Sequence, residues 1–119
     1  TDDVAGLMRA ASLLITKPGG LTLAEAALCA LPVVMFNGIP GPETLNAARF
    51  ASMGAGVLTR DVSETASAVE KLLRDDGARA AMSRRSKRLA RPHAAGDVAC
   101  LALCETDGAA ALIQHRMTA

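Results

Sequence analysis

The residues best placed to do chemistry lie in the segment K-P-G-G-L-T-L-A-E, Lys17 to Glu25. An apolar run, Ser12 to Thr16, precedes the glycines and reads as a buried strand. The Ala- and Leu-rich stretch from Leu21 to Ala30 follows and reads as helix. Strand, Gly-Gly and helix in that order bring the amides of Gly20, Leu21 and Thr22 to the positive end of a helix dipole. That is an anion site suited to phosphate. Glycine lets a ligand approach the backbone with no Cβ in the way. Thr22 and Glu25 are the only oxygen-bearing side chains between Leu21 and Leu31, three residues apart on one face near the helix N-terminus. An otherwise apolar helix is expected to be buried, and a carboxylate there needs a partner. A hydroxyl beside the phosphate and a carboxylate one turn deeper would suit a diphosphate and a ribose diol. The alternative is an ordinary turn with Glu25 paired to a structural group. Lys17, at the strand end, either neutralises a phosphate or is simply solvated.

The elements that must position these residues follow from pattern and punctuation. Residues 2–10 predict a short helix with Asp2 or Asp3 as cap and Val4, Leu7 and Met8 inward. Residues 32–37 read as a second buried strand, followed by a Gly- and Pro-rich loop over 38–42. Pro42 suits the first position of a helix with Ala47, Phe50 and Ala51 on one face and Gly54 as its C-cap. Residues 55–59 make a third strand. Asp61 and Glu64 form a capping box opening a helix with Ala66, Val69, Leu72 and Leu73 inward. Asp76 caps the next helix, through Ala90, and further helices are expected over 94–104 and 107–116. The predicted fold class is α/β: the second half of a Rossmann-like domain, with three parallel strands, helices on both faces and a helical C-terminal extension. Three strands leave two open edges, so the first strands are expected before Thr1 and the isolated chain is expected to self-associate. Ligands in such sheets bind beyond the carboxyl ends of the strands, here Thr16–Thr22, Asn37–Asn46 and Thr59–Asp61.

Composition narrows the function classes. The chain has 119 residues, enough for one small domain, and 13 Lys and Arg against 12 Asp and Glu, a net charge of +1. That balance gives no basic face for nucleic acid. Half the residues are hydrophobic, which excludes disorder, and the aromatics are Phe36 and Phe50 alone. Cys29, Cys100 and Cys104 lack metal-ligand spacing, so no metal site is expected, and they suit a reducing compartment. No apolar stretch reaches the length of a membrane span. His93 and His115 read as exposed structural residues, beside no candidate nucleophile.

The stretch I-T-K-P-G-G-L-T-L-A-E-A (15–26), then L-P-V-V-M-F-N-G-I-P-G-P-E-T-L-N-A (31–47), G-A-G-V (54–57) and A-R-P-H-A-A (90–95), resembles the C-terminal domain of a glycosyltransferase family. That family includes bacterial diacylglycerol glucosyltransferases, plant-type monogalactosyldiacylglycerol synthases and, more distantly, the peptidoglycan N-acetylglucosaminyltransferase. The joint pattern K-P-G-G-x-T-x-x-E and P-G-x-E-x-x-N-A carries the likeness. It implies that residues 1–119 are a partial donor-binding domain of a two-domain GT-B enzyme using a UDP-sugar. The general base and the lipid acceptor site would belong to an N-terminal domain, leaving no catalytic residue here. The likeness assigns Gly19, Gly20, Leu21 and Thr22 to the diphosphate, with Lys17 beside it, and Glu25 to the ribose. It assigns Glu43 to the donor sugar and matches Asn46 to the family asparagine. Pro42 stands where the family has Gln and offers neither an amide donor nor a polar side chain, so one sugar contact is lost or replaced. The implied reaction is an inverting displacement without metal or cofactor, the helix terminus stabilising charge on the UDP leaving group. Lipid acceptors imply a cytoplasmic protein, peripheral on the inner face of the membrane. The basic run Arg84, Arg85, Lys87, Arg88 would then meet anionic lipid, its other reading being a solvated helix face. A UDP-sugar epimerase of related shape and a non-catalytic nucleotide-binding or oligomerisation module are the competing readings.

Overall fold

Four consecutive apolar residues, Val33–Phe36, form the middle strand β2 in a computed structural model that describes residues 2–36, 41 and 43–104. The remaining elements are α1 (Val4–Ala10), β1 (Leu14–Thr16), α2 (Gly20–Leu28), α3 (Glu43–Ser52), β3 (Gly56–Thr59), α4 (Val62–Arg74), α5 (Asp76–Arg88) and α6 (Ala94–Cys104). The sheet order is β1-β2-β3, parallel throughout, with Thr16 beside Met35 and Met35 beside Leu58. This is the expected Rossmann-like α/β arrangement. The helix expected over 107–116 lies outside the described residues.

The pleat of β2 divides the core. Val33 and Met35 point to one face, where they join Met8 of α1, Leu23, Ala26 and Ala27 of α2, and Ala47 and Phe50 of α3. Val34 points to the other face and is also fully buried, and α4 lies against β2 and β3. Helices therefore cover both faces of β2. β1 is less covered than its composition suggests: Leu14 packs on the core, but Ile15 is exposed, and α4 packs mainly on β2 and β3. Val4 and Leu7 are exposed as well, leaving Met8 as the residue of α1 that enters the core. On α4 it is Leu72 that is buried, while Leu73 and Ala66 face solvent.

The helix ends show the local chemistry. Asp3 Oδ1 accepts from the Gly6 amide (2.7 Å) and Asp61 Oδ1 from the Glu64 amide (2.8 Å). Glu64 reaches back, but to the amide of Arg60 (2.8 Å), one residue before the cap, and also takes the Arg60 guanidinium (3.1 Å). The cap of α5 is Asp75, whose Oδ1 accepts from Ala78 (2.8 Å), and Asp76 is the first helical residue, paired with Arg79. Arg79 in turn donates to the carbonyls of Leu72 and Leu73 at the end of α4, filling acceptors that the helix leaves open.

The turns from α2 into β2 and from α3 into β3, at the amino end of the sheet, use one motif. After α3, the Gly54 amide bonds the Ala51 carbonyl (2.9 Å) and Ala55 the Phe50 carbonyl (3.0 Å), with Gly54 at φ 65°. After α2, Ala30 bonds Ala27 (3.0 Å) and Leu31 bonds Ala26 (2.8 Å), with Ala30 at φ 54°. These are paired Schellman closures, and the second places a Cβ in the left-handed region. α5 lies over both turns: Ser83 Oγ donates to the Ala30 carbonyl (2.7 Å), and a Cβ added at Gly54 would sit 3.0 Å from Arg85 Cδ.

Exchanging the two turn residues should act in opposite directions. Ala30→Gly relieves a left-handed alanine and should stabilise the chain by roughly 0.5–1 kcal/mol; Gly54→Ala should cost about 1–2 kcal/mol or more. Urea denaturation of the two variants checks both signs. A second expectation concerns acid. The backbone amide of Arg60, and then its guanidinium, hold the Glu64 carboxyl below its ordinary value. A carboxyl lowered in the folded state contributes stability above the ordinary Glu value of about 4.3 and loses it as pH falls through the folded value. Glu64→Gln should therefore flatten the acid limb of melting temperature against pH below about 4.3, leaving the slope near neutrality unchanged.

Candidate functional site

The strand β1 delivers the chain into Lys17-Pro18-Gly19, where Pro18 is fully buried and the Gly19 amide turns back to the Lys17 carbonyl (2.8 Å). Gly19 is the N-cap of α2 at φ −67°, ψ 136°, and no side chain caps the helix. That sets α2 apart from α1, α4 and α5, each of which has an aspartate in the capping position. Among the described residues no acceptor meets the amides of Gly20, Leu21 and Thr22. Gly20 and Leu21 are exposed and Thr22 is half-buried. The helix thus presents three free donors and its positive end to solvent.

The start of α3 closes one side of this terminus. Asn46 Nδ2 donates to the Pro18 carbonyl (3.3 Å), tying α3 to the turn. Lys17 Nζ pairs with Glu43 Oε1 (3.2 Å) across the mouth of the site. Lys17 is 70% exposed and Glu43 37%, so the pair adds little to stability and leaves both groups available. A Cβ placed on Gly19 would lie 3.7 Å from Glu43 Oε1 and 3.9 Å from Thr22 Oγ1; one on Gly20 would lie 3.6 Å from Asn46 Nδ2. Lys17, Gly19, Gly20, Thr22, Glu43 and Asn46 therefore converge on one spot. Leu21, 83% exposed, brings its backbone amide to this terminus and turns its side chain to solvent. Pro42 lies outside the described residues. The bond from Asn46 to Pro18 was not visible in the sequence, since 28 residues separate the two and the parallel register alone joins them.

A family model described as "Glycosyl transferases group 1" matches residues 1–89. The chain belongs to the group 1 glycosyl transferases. Among similar proteins, the processive diacylglycerol beta-glucosyltransferase of Bacillus mycoides (strain KBAB4) is 40% identical over 104 residues, covering 87% of this chain and 27% of that protein. The proteins of the same name from Bacillus cereus strains 03BB102 and G9842 are 40% and 39% identical over the same lengths. The chain thus spans about a quarter of the length of these relatives. The nine residues that the sequence singles out, from Lys17 to Asn46, fall inside the segment that matches the group 1 glycosyl transferase model.

Within this glycosyl transferase chain, Glu25 departs from expectation. It is exposed, not buried, and among the described residues its carboxylate has no hydrogen bond or ion pair. The apolar residues of α2 divide into two sets: Leu23, Ala26 and Ala27 enter the core, whereas Leu21 and Leu28 face outward on the same side as Glu25. Counting apolar residues predicted burial; their phase decides it. No structural group claims the carboxylate.

Among the described residues no group of three His, Cys, Asp or Glu could hold a metal ion, and no helix is long and apolar enough to cross a membrane.

The glycines at the turn are not demanded by the fold. Neither has a positive φ, and the nearest atoms to an added Cβ stand at ordinary contact distances. Gly20→Ala should accordingly leave the melting temperature unchanged or raise it slightly, because Ala is the better helix former. Thermal denaturation followed by circular dichroism checks this, and a drop of more than about 4 °C, close to 1 kcal/mol for a domain of this size, would show that the fold requires Gly20.

Proposed function

We propose that residues 1–119 are the donor-binding part of an inverting glycosyltransferase that moves a sugar from a UDP-sugar to a diacylglycerol-like lipid. The observation that carries this reading is the uncapped N-terminus of α2, open to solvent and flanked by Lys17, Glu43 and Asn46. Free amides of Gly20, Leu21 and Thr22, with the Thr22 hydroxyl, receive the diphosphate, and Gly19 and Gly20 leave room for it. Lys17 lies near enough to add positive charge. Glu25, unpaired and on the same end of α2, accepts from the ribose hydroxyls. Glu43 and Asn46 face the sugar, and Pro42 removes a polar contact there and so bears on which sugar is accepted.

In the displacement, negative charge builds on the β-phosphate as the glycosidic bond breaks. Donors fixed in place before the reaction stabilise that charge without reorganising. The general base and the acceptor pocket belong to the domain that this chain does not include. The names of the similar diacylglycerol glucosyltransferases support a lipid acceptor in this reading, and a lipid acceptor would bring the protein to the inner face of a membrane.

Three measurements test the reading. UDP titrated into the 119-residue chain should bind with a dissociation constant of millimolar order, near −4 kcal/mol, because phosphate and ribose groups are present without a full base pocket. In the intact protein, Glu25→Ala should weaken UDP-sugar binding on the order of tenfold or more, since a hydrogen bond to a charged group is worth roughly 1.5–3 kcal/mol. Its melting temperature should hardly change, given an exposed side chain in a helix. Unchanged affinity with a lowered melting temperature would reject the ribose role. Sugar recovered on lipid, with no epimerised donor, separates transfer from epimerisation.

A further inference from the structure

The ion pair at the mouth of the anion site joins two groups that belong to different parts of the proposed ligand. Lys17 Nζ donates to Glu43 Oε1 (3.2 Å), and among the described residues neither side chain has another ion pair. The contact runs from the end of β1 to the first residue of α3. Little burial holds it, Lys17 being 70% and Glu43 37% exposed. A pair this exposed is weak, and its members can change partners readily.

Glu43 also stands against the seat of the anion. The point that a Gly19 Cβ would occupy is 3.7 Å from Glu43 Oε1 and 3.9 Å from Thr22 Oγ1. Carboxylate and hydroxyl therefore border one hollow beside the uncapped end of α2. A diphosphate entering that hollow meets a carboxylate a few ångströms away, and like charges repel at such range. It also meets an ammonium already engaged by that carboxylate. The diphosphate carries the greater charge, and a lysine ammonium is a compact cation on a flexible stem that can turn to follow it. Glu43 stays behind, because it begins α3 and Asn46 Nδ2 ties that helix to the Pro18 carbonyl (3.3 Å). Once released, its carboxylate can only accept hydrogen bonds, which suits the hydroxyls of a sugar carried on the β-phosphate.

We propose that the Lys17–Glu43 pair is an exchange that couples the two halves of the donor site: the diphosphate takes Lys17, and Glu43, set free, accepts from a sugar hydroxyl. The proposal rests on the donor-binding reading above and adds an order to it. Until a diphosphate arrives, the acceptor for the sugar is occupied by Lys17. A glycosyl diphosphate is then bound as a unit, and a sugar without its diphosphate is not.

The test is calorimetric titration of the intact protein and of Lys17→Met, Glu43→Gln and the double variant, first with UDP and then with UDP-glucose. Glu43→Gln should tighten UDP about threefold or more, because no pair has to be broken. Lys17→Met should weaken UDP about threefold in the native background and about tenfold in the Glu43→Gln background, where the lysine has no pair to give up. UDP-glucose should bind the native protein more tightly than UDP, and Glu43→Gln should bring the two nearly level. Melting temperatures confirm that the variants fold, since the pair is exposed and adds little to stability. Failure of the native protein to bind UDP overturns the donor-site reading and this proposal with it. If UDP binds and Glu43→Gln leaves its affinity unchanged, Glu43 is a sugar contact alone and the exchange is overturned. A loss from Lys17→Met no larger in the Glu43→Gln background than in the native one also overturns it, since the lysine would then meet the phosphate without leaving Glu43. Equal affinity of the native protein for UDP and UDP-glucose removes the sugar from the coupling and overturns the proposal while the diphosphate site stands.

Discussion

The rest of the molecule depends on β2 having a strand on either side and helices over both its faces. Val33, Val34 and Met35 are fully buried, and their alternation sends two residues to the α2 and α3 layer and one toward α4. Parallel pairing of Thr16 with Met35 and of Phe36 with Thr59 sets the carboxyl ends of all three strands at one edge. A slip of one residue would turn Val34 into the α2 and α3 layer and send Val33 and Met35 toward α4. The same slip would carry the Lys17–Gly20 turn away from the first turn of α3. Site geometry is therefore a consequence of register. Neither the Lys17–Glu43 pair nor the Asn46–Pro18 bond is strong enough to impose it.

Capping chemistry then sets the amino end of α2 apart from those of α1, α4 and α5. Aspartate satisfies the leading amides of α1, α4 and α5, so those ends are closed by their own sequence. A glycine leads α2, and its amides are left for something else. The cost of such an end is small while water solvates it, and it can be offset by a bound anion. Unlike those three, α2 begins on a glycine and carries no side-chain cap, and it lies within the segment that matches the group 1 glycosyl transferase model.

Much of this was legible in the sequence because it rests on local rules. Gly54 as a left-handed cap, Asp61 ahead of Glu64, and three apolar runs separated by helices each announce themselves within a few residues. The failures share a different origin. Apolar content suggested that Glu25 would be buried, yet Leu21 and Leu28 share its exposed side, since periodicity and not content fixes the face. Asp75 and Asp76 are both competent caps, and the backbone at residue 75 decides between them. Lys17 and Glu43 lie 26 positions apart and gave no joint signal, because their proximity is created by the fold bringing the end of β1 to the start of α3.

The placement of α5 has a kinetic consequence. It touches the closing turn of α2 through Ser83, sits against the closing turn of α3 through Arg85, and holds the last carbonyls of α4 through Arg79. One helix thus clamps three successive units that neighbour one another along the chain. Local opening of α5 would release all three ends together, so amides in α5 and in the turns at Ala30 and Gly54 should exchange with solvent as a single cooperative unit. The uncapped end of α2 lies at the opposite edge of the sheet and shares none of these contacts. Opening of α5 would therefore leave the Asn46–Pro18 bond and the Lys17–Glu43 pair at that edge in place.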